Sequence, residues 1–294
     1  MEQAAILNDL FASALSNPEE KEKLAEAGGA FVRQKLRELS FARRIVPPVM
    51  VTKDDCQRSE DHDGLVKVID KEPDSQAMAI SFRGKPEAKY IDGERYTVKF
   101  FTVSSERFQK TEQELLSYEM PITKVIEENS VKDIQKIEDT RFKTWVDYAI
   151  TASGLTQTIS DTTVEKTGIS ALSRLISTKE LKLDTILMTQ LDFNDILAWN
   201  ANSFGDKVAS EVVVDGYKYE TVMGYKLVTT IKSDIIDEGT FYGFTAPQFL
   251  GNFFILNQTK FWVDKEANLV SFQSWEDVAM GIGNVNAAAE IKLS

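Results

Sequence analysis

The feature that most constrains the fold is a stretch of about thirty residues with helical periodicity in the middle of the chain. Pro121 stands where proline favours the first turn of a helix, and Ser153-Gly154 is typical of a helix end. Apolar residues mark one face at helical spacing: Ile122, Val125, Ile126, Ile134, Ile137, Phe142, Trp145, Val146 and Ala149. Charged residues populate the other face: Glu127, Glu128, Lys132, Asp133, Lys136, Glu138 and Asp139. Such a helix is about 45 Å long, more than twice the radius of gyration of about 19 Å expected for a compact chain of this length. We therefore expect it to span the molecule as a spine.

The composition is that of an acidic globular protein. The chain has 294 residues, 34 Lys and Arg against 46 Asp and Glu, a formal net charge of −12, and 43% hydrophobic residues. This length corresponds to one large or two modest domains, and it is enough to bury a sizeable core without disulfides. Because an acidic surface has no general attraction for phosphate backbones, a protein that reads nucleic-acid sequence is excluded.

Residue counts and motifs exclude several kinds of chemistry. Cys56 is the only cysteine and His62 the only histidine, so the sequence provides no internal disulfide, thiolate cluster or multi-imidazole site. His62 lies among Glu60, Asp61 and Asp63, but neighbours on an extended chain point to opposite sides, and we interpret this segment as a solvated acidic loop. No nucleophile elbow, phosphate-binding loop, dinucleotide fingerprint, membrane span or signal peptide is present. We therefore expect no catalytic residue, no cofactor, no metal and no membrane partner.

The first fifty residues have the pattern of a helical arm. Residues 6–15 and 19–38 each carry only a thin apolar stripe, too little for a core of their own. They fit either two surface helices or an arm that docks elsewhere, including on another subunit. Pro47-Pro48 forces an extended backbone where the chain leaves the arm. Basic residues are concentrated before that exit: Arg33, Lys35, Arg37, Arg43 and Arg44.

From about residue 64 to residue 108 the hydrophobic period changes to two. The alternation predicts strands over 65–69, 78–82 and 96–101, joined by turns that are rich in charge. A hairpin with so little two-sided hydrophobicity leaves strand edges open, and it is usually stabilised by packing on a helix, a sheet or a neighbouring chain. The pattern therefore favours assembly.

The remainder alternates between helices and strands without a regular βαβ repeat, which predicts the α+β class. We expect a helix over 169–176, a buried strand over 185–189, and a helix over 193–199 that Asp192 opens, with Asp195 completing a capping box. Aromatic residues between 241 and 262 fit a packed core better than a ligand platform. The periodicity also predicts a hairpin over 212–219 and strands over 224–231, 253–256, 261–264, 270–273, 278–282 and 287–293.

Six stretches also carry a resemblance to a known family. They are RRIVPP at 43–48, FQK at 108–110 leading to YEMPI at 118–122, LMT at 187–189 before the 193–199 helix, VMGYKLV at 222–228, and WEDVAMGIGN at 275–284. In this order they resemble the major capsid protein of tailed bacteriophages, with the Hong-Kong-type capsid fold. The motifs are loose and apolar, but their order covers nearly the whole chain.

The resemblance implies a division of the chain. It implies an N-terminal arm over residues 1–54, an extended loop over 55–108, a peripheral domain with the spine helix over 109–160, an axial domain over 161–250, and returning strands over 251–294. Fewer than fifty residues precede the end of the arm, so the sequence resembles the class that uses a separate scaffolding protein.

The resemblance also implies partners and a location. It implies pentamers and hexamers of an icosahedral shell, a portal, decoration proteins, and packaged double-stranded DNA contacted without sequence specificity. The protein would be in the virion after assembly in the host cytoplasm. The charged residues that we assign to the assembly interface are Arg33, Arg37, Arg43, Arg44, Asp70, Lys71, Glu72, Arg83, Lys85, Glu87, Lys89, Arg95, Glu127, Glu128, Lys132 and Asp133.

Two alternatives stay open at this point. An encapsulin-like nanocompartment shell would keep the fold and enclose an enzyme instead of DNA. An α+β enzyme with a carboxylate site within residues 185–262 belongs to a different class, and a deep pocket with a convergent pair of acids would favour it.

Overall fold

The structure is a computed structural model of the whole chain. It describes residues 40–61, 63–71, 79–80, 82, 84–85, 88, 93–111, 113–114, 122–199 and 221–294, and for residues 122–132 and 135 it describes the backbone alone. The predicted arm helices over 6–15 and 19–38, His62 and the predicted hairpin over 212–219 lie outside the described residues.

The described residues form short and long elements in a mixed order. The helices are α1 (Phe41–Ile45), α2 (Ile122–Ser153), α3 (Lys166–Ser177), α4 (Gln190–Leu197) and α5 (Pro247–Leu250), with 3-10 turns at Lys53–Asp55 and Val285–Ala287. The strands are β1 (Val49–Met50), β2 (Gln57–Arg58), β3 (Leu65–Asp70), β4 (Arg95–Ser104), β5 (Phe108–Thr111), β6 (Thr156–Ile159), β7 (Thr185–Thr189), β8 (Thr221–Val222), β9 (Tyr225–Thr230), β10 (Thr240–Phe244), β11 (Gly251–Glu266), β12 (Leu269–Ile282) and β13 (Ala288–Leu293). This mixture confirms the α+β class.

The long helix expected from the sequence is present as α2, which we call the spine helix. It has 32 residues and is therefore about 48 Å long. It ends at Ser153, and the next residue, Gly154, has a φ of +68° in the left-handed region that favours glycine. The predicted apolar face is confirmed at Ile134, Phe142 and Val146, which are buried, whereas Ile137 is 38% exposed.

One sheet, which we call the long sheet, is built around two long strands. Within the described residues its strand order is β1-β11-β12-β4-β3-β2, and β5 also pairs with β12. The four short strands predicted between residues 253 and 282 are in fact β11 and β12, paired from Gly251↔Ile282 to Glu266↔Leu269. All four segments are strand as predicted, but they are not four separate strands, because residues 256–260 shift the register without ending the pairing.

The charged segment after residue 64 forms the predicted antiparallel hairpin, with Val66 opposite Lys99 and Asp70 opposite Arg95. The second half of β4 continues into the long sheet by pairing with β12. The strand predicted over 78–82 is wrong where the structure describes it, since Ala79, Ile80 and Phe82 lie in no strand. Ile80 and Phe82 are 48% and 104% exposed, so the packing that an isolated strand requires is missing at these side chains.

The second sheet, which we call the compact sheet, has the order β6-β13-β10-β7-β9-β8 in the described part of the chain. Its central strands β7 and β10 are buried at every residue, as the apolar run over 185–189 predicted. The helix after β7 begins at Gln190, three residues before the predicted start. The last residue of the strand, Thr189, caps it by accepting the Asp192 N–H at 3.1 Å, and the Asp195 carboxylate instead accepts the N–H of Val164 at 3.0 Å.

One hydrophobic cluster joins the two sheets and the spine helix. Phe142 of the spine helix packs against Phe41 of α1 at a centroid distance of 6.3 Å and against Phe244 of β10 at 5.8 Å. Phe253 and Met280 of the long sheet belong to the same cluster. The aromatic residues near the C-terminus therefore form a packed core, as predicted, although Phe249 is 51% exposed.

The start of β11 tolerates only glycine. A Cβ on Gly251 would lie 2.2 Å from the backbone oxygen of Gly281 on the paired strand. We predict that Gly251→Ala separates the ends of β11 and β12 and lowers the free energy of unfolding by about 1–3 kcal/mol. Urea denaturation followed by circular dichroism measures this loss.

Gly93→Ala is the matched control for this substitution. A Cβ at Gly93 would meet nothing within 4 Å, so the change should be within about 0.5 kcal/mol. Equal effects of the two substitutions would contradict the close approach of the strands at Gly251.

Candidate assembly site

The segment where the predicted arm meets the body, residues 40–46, is fixed by buried contacts. We call it the arm root. It contains α1, a five-residue helix whose N-terminal cap is Ser40. A helix of this length is not stable by itself, so tertiary contacts must hold it. Phe41, Ala42 and Ile45 are each at most 2% exposed, and Phe41 contacts the spine helix through Phe142.

Arg43 crosses from the arm root into the protein interior. Its Nε and Nη2 donate to the two carboxylate oxygens of Glu138 at 3.0 and 2.7 Å, and Nη2 also donates to Oε2 of Glu276 at 2.9 Å. The side chains of Arg43, Glu138 and Glu276 are 1%, 0% and 0% exposed. The guanidinium lies 5.3 Å from the centre of the Phe253 ring. One side chain therefore ties the arm root to both the spine helix and β12.

Asp139, the next residue of the spine helix, holds the same segment from another direction. Its Oδ1 accepts hydrogen bonds from the Ser40 hydroxyl at 2.8 Å and the Ala42 N–H at 3.1 Å. Its Oδ2 accepts from Nζ of Lys232, just after β9, at 2.5 Å. We call Arg43, Glu138, Asp139, Lys232 and Glu276 together the arm anchor.

Burial controls the electrostatics of the arm anchor. Desolvation raises the pKa of Glu138 to about 7, although the neighbouring Arg43 charge acts to lower it. Desolvation also raises the pKa of Asp139 above its usual range, against the opposing effect of Lys232. For Arg43, burial alone would lower the pKa, but the carboxylates of Glu138 and Glu276 outweigh it and raise the pKa. The cluster is thus strongly coupled, and its charges depend on one another.

Arg43, predicted as an interface residue, has its guanidinium enclosed and paired within its own chain. Its assignment to an interface between copies stays a prediction. Arg44 is partly exposed, and its carbonyl oxygen accepts a hydrogen bond from Nζ of Lys226 at 3.1 Å.

Three of the predicted interface residues, Asp70, Lys71 and Arg95, form ion pairs within the hairpin. Nε of Arg95 lies 2.7 Å from Oδ1 of Asp70, and Nζ of Lys71 lies 2.6 Å from Oε2 of Glu94. All four side chains are more than half exposed. Each such pair contributes about 0–1 kcal/mol, so the pairs fix the hairpin register more than they stabilise the chain.

The other predicted interface residues are less completely described. Lys85 is exposed and Asp133 is partly buried on the spine helix. Glu127, Glu128 and Lys132 lie on the backbone of the spine helix, and their side chains are outside the description. Six further residues lie outside the described residues altogether: Arg33, Arg37, Glu72, Arg83, Glu87 and Lys89. The assignment of these residues to an interface stays a prediction.

The sequence did not reveal the arm anchor, because Glu138 and Asp139 stand among the charged residues predicted for the solvent-facing side of the helix. The spacing held a usable signal, since Glu138 stands four residues after Ile134 and four before Phe142, both of which face the core. Glu276 carried a similar signal, because residues of one strand face alternate sides and Ser274 and Val278 are both buried.

The described residues contain no group of three or more His, Cys, Asp or Glu residues placed to hold a metal ion. No helix in this part of the chain combines the length and apolar character that crossing a membrane requires.

Removing the Arg43 charge should lower the stability of the folded chain. We predict that Arg43→Met lowers the free energy of unfolding by about 3–5 kcal/mol at pH 7.5, because two buried carboxylates lose their cation. Urea denaturation of the full chain measures this value. Arg44→Met, which changes the partly exposed neighbour, should cost about 1 kcal/mol or less. Similar losses for the two variants would contradict the role of Arg43 as the central cation.

No protein-family model matches the chain, and no curated protein matches it in sequence. Solved structures do match. A chain from Microbacterium phage Oxtober96 is similar with a TM-score of 0.63 and 12% identity, over 87% of this chain and 91% of that one. The asymmetric unit of the mature capsid of bacteriophage PhiM1 is similar with a TM-score of 0.59 and 9% identity, over 87% of each chain. A virus-like particle from Pyrococcus furiosus is similar with a TM-score of 0.54 and 10% identity, over 92% of this chain and 99% of that one. The chain therefore has the phage capsid-protein fold that its sequence resembles.

Proposed function

We propose that this chain is a major capsid protein that assembles into an icosahedral shell around phage double-stranded DNA and has no catalytic activity. The observation that carries the proposal is the fold, which matches the mature PhiM1 capsid over 87% of each chain. Since both coverages are high, the likeness extends over most of the architecture and is not limited to one sheet.

The geometry of the chain supports an assembly role. Beyond Asp70 and Arg95 the hairpin continues past its paired strands, and there Phe82 is fully exposed and Lys85 exposed. A fully exposed phenylalanine is unfavourable in water unless another surface covers it. We propose that a neighbouring copy provides that surface. Residues 1–54 would form the arm, 55–108 the extended loop, 109–160 the peripheral domain, 161–250 the axial domain, and 251–294 the returning strands.

The acidic character of the chain fits a DNA container. With a net charge of −12, a shell wall would repel packed DNA and would contact it without sequence specificity. The proposed partners are further copies in pentamers and hexamers, a separate scaffolding protein, a portal and decoration proteins. The proposed location is the virion, after assembly in the host cytoplasm.

The direct test is assembly of the recombinant full-length chain, alone and with a scaffolding protein encoded beside it. We expect rings or closed shells in sedimentation velocity and electron microscopy. Persistent monomer at high protein concentration, even with the scaffolding protein, would contradict the proposal.

The second candidate is a nanocompartment shell of the encapsulin type. It is favoured by the similarity to the virus-like particle from Pyrococcus furiosus, which is covered over 99% of its chain. The contents of assembled particles distinguish the two functions. Genes for a portal and terminase beside this one favour the phage shell, whereas a gene for a peroxidase or ferritin-like cargo favours the nanocompartment.

A carboxylate enzyme receives less support. A surface cleft of about 480 Å³ is lined by Glu165, Lys166, Asp195 and Trp199, among others. However, the Asp195 carboxylate accepts the backbone N–H of Val164, and the Trp199 indole donates to the carbonyl of the same residue at 2.9 Å. Asp195 therefore has a structural role in joining α4 to the start of α3.

The exposed hairpin charge offers a test that separates assembly from folding. We predict that Lys85→Glu leaves the melting temperature within about 2 °C and lowers the yield of assembled particles several-fold, because a small cost repeats at every copy. Differential scanning fluorimetry and sedimentation measure the two effects.

Lys179→Glu, an exposed lysine in the turn after α3, is the matched control and should leave the yield unchanged. An equal loss of particles in both variants would show a general effect of charge and would remove the hairpin from the proposed interface.

A further inference from the structure

We propose that Tyr96 fixes the direction in which the hairpin of β3 and β4 leaves the body of the protein, and that this direction sets the curvature of the shell. The first half of the inference concerns the single folded chain. The second half rests on the proposed function. The contacts that carry both halves lie where β4 separates from β12 of the long sheet.

Among the described residues, backbone pairing holds one half of β4 to the long sheet. From Ser104 to Phe100 the strand pairs with β12, and the last of these pairs joins Phe100 to Ala279. From Lys99 to Arg95 it pairs with β3, the other strand of the hairpin. The hairpin therefore extends beyond its last backbone pair with β12, and side-chain contacts determine its angle there.

Two glycines allow this outer half of β4 to lie against the end of β12. Continuing the register of β4 against β12 places Val98 opposite Gly281, and a Cβ on that glycine would lie 3.1 Å from Cγ2 of Val98. The same register places Tyr96 opposite Gly283, and a Cβ there would lie 2.7 Å from the Tyr96 hydroxyl oxygen. The absence of a side chain at both glycines therefore makes the close approach possible.

Tyr96 also reaches the strand beyond β12. Its hydroxyl oxygen accepts a hydrogen bond from Nδ2 of Asn252, near the start of β11, at 2.9 Å. Since Asn252 pairs directly with Gly281, the Tyr96 side chain crosses the end of β12 to make this bond. The half-buried ring also packs against one apolar cluster, which consists of Val51, Val98, Phe254 and Ala279. One side chain of the hairpin thus contacts both long strands.

The spine helix holds β4 from another direction. Phe101 packs edge-on against Trp145, with ring centres 6.1 Å apart and an angle of 82° between the rings. The guanidinium of Arg141 lies 4.2 Å from the centre of the Phe101 ring. Phe101 is next to the last residue that pairs with β12, so this contact holds the strand where the hairpin begins. Tyr96 holds it again further out, and two points of attachment define one direction.

The position of Tyr96 gives small movements a large effect. It lies four residues before Phe100. Over about 13 Å of extended strand, a displacement of about 1 Å at Tyr96 turns the hairpin by about 4°. In the proposed shell each hairpin rests on a neighbouring copy, and this contact repeats around the particle. A turn of this size at every copy changes the angle between neighbours and therefore the diameter at which the shell closes.

Distances within one copy test the direction of the hairpin. Spin labels are attached at Gly93→Cys on the hairpin and at Lys179→Cys or Glu266→Cys elsewhere in the full chain, which also carries Cys56→Ser. A large excess of unlabelled chain ensures that each distance lies within one copy, whether or not the copies assemble. Double electron–electron resonance should give a distance distribution about twice as wide when Tyr96→Ala is added, because the outer half of β4 loses its attachment.

Tyr148→Ala is the matched control, because it removes an exposed tyrosine of the spine helix and should leave the distribution unchanged. Tyr96→Phe and Asn252→Ala each remove the hydrogen bond and keep a ring at residue 96, so both should widen the distribution by a smaller amount. A distribution for Tyr96→Ala as narrow as that for Tyr148→Ala would overturn the proposal. If Tyr96→Ala does not fold, unchanged distributions in the two milder variants would overturn it equally.

The diameters of assembled particles test the consequence for the shell. In electron microscopy, Tyr96→Phe should give particles of altered or mixed diameter, whereas Tyr148→Ala should keep the wild-type diameter. A wider distance distribution with an unchanged particle diameter would exclude the link to curvature. If the wild-type chain forms no particles, the proposed function fails by itself, and the distance distributions still decide whether Tyr96 fixes the hairpin.

Discussion

The rest of the structure depends on the interaction of Arg43 with Glu138 and Glu276. It joins three segments that are far apart in sequence, namely the arm root, the middle of the spine helix and β12 of the long sheet. Replacing a buried ion network by apolar residues is often neutral for stability, but an incomplete network is expensive. Because any other placement of these three segments would leave a buried charge unpaired, the network favours the observed one. It fixes where the arm leaves the body, and in a shell that exit point would decide which neighbour the arm can reach.

The packing around the network explains how two sheets can share one helix. The spine helix presents Phe142 to both α1 and β10, and the same hydrophobic cluster includes Phe253 and Met280 of the long sheet. Because the helix is about 48 Å long, it can support both sheets while the charged hairpin stays outside this core. In the hairpin, the pairs Asp70–Arg95 and Lys71–Glu94 are satisfied within the chain. If this hairpin contacts another copy, the contact would use its exposed residues around Phe82 and its backbone edges, or would exchange these pairs for others.

The sequence predicted the elements whose periodicity is complete. The spine helix, the strands over 65–69 and 185–189 and the α+β class follow from regular apolar spacing, and the structure confirms them. Other features depend on tertiary contacts that spacing does not reveal. Residues 256–260 look like a strand end, yet β11 continues through them because β12 pairs on both sides of the irregularity. Glu138 looks like a solvent-facing acid, yet it is buried because Arg43, ninety-five residues away, supplies the opposite charge. The sequence therefore singled out Arg43 but not the intrachain contacts that bury it, and the interface assignment stays a prediction.

The central claim is that copies of this chain form a shell in which each arm root stays on its own subunit. The most direct measurement is an electron cryo-microscopy reconstruction of the purified particles at a resolution that shows side chains. The account predicts closed shells in which Arg43 contacts Glu138 and Glu276 of the same chain and the hairpin tip around Phe82 rests on a neighbouring copy. A preparation without closed particles, or a map in which the hairpin tip contacts no other copy, would contradict it.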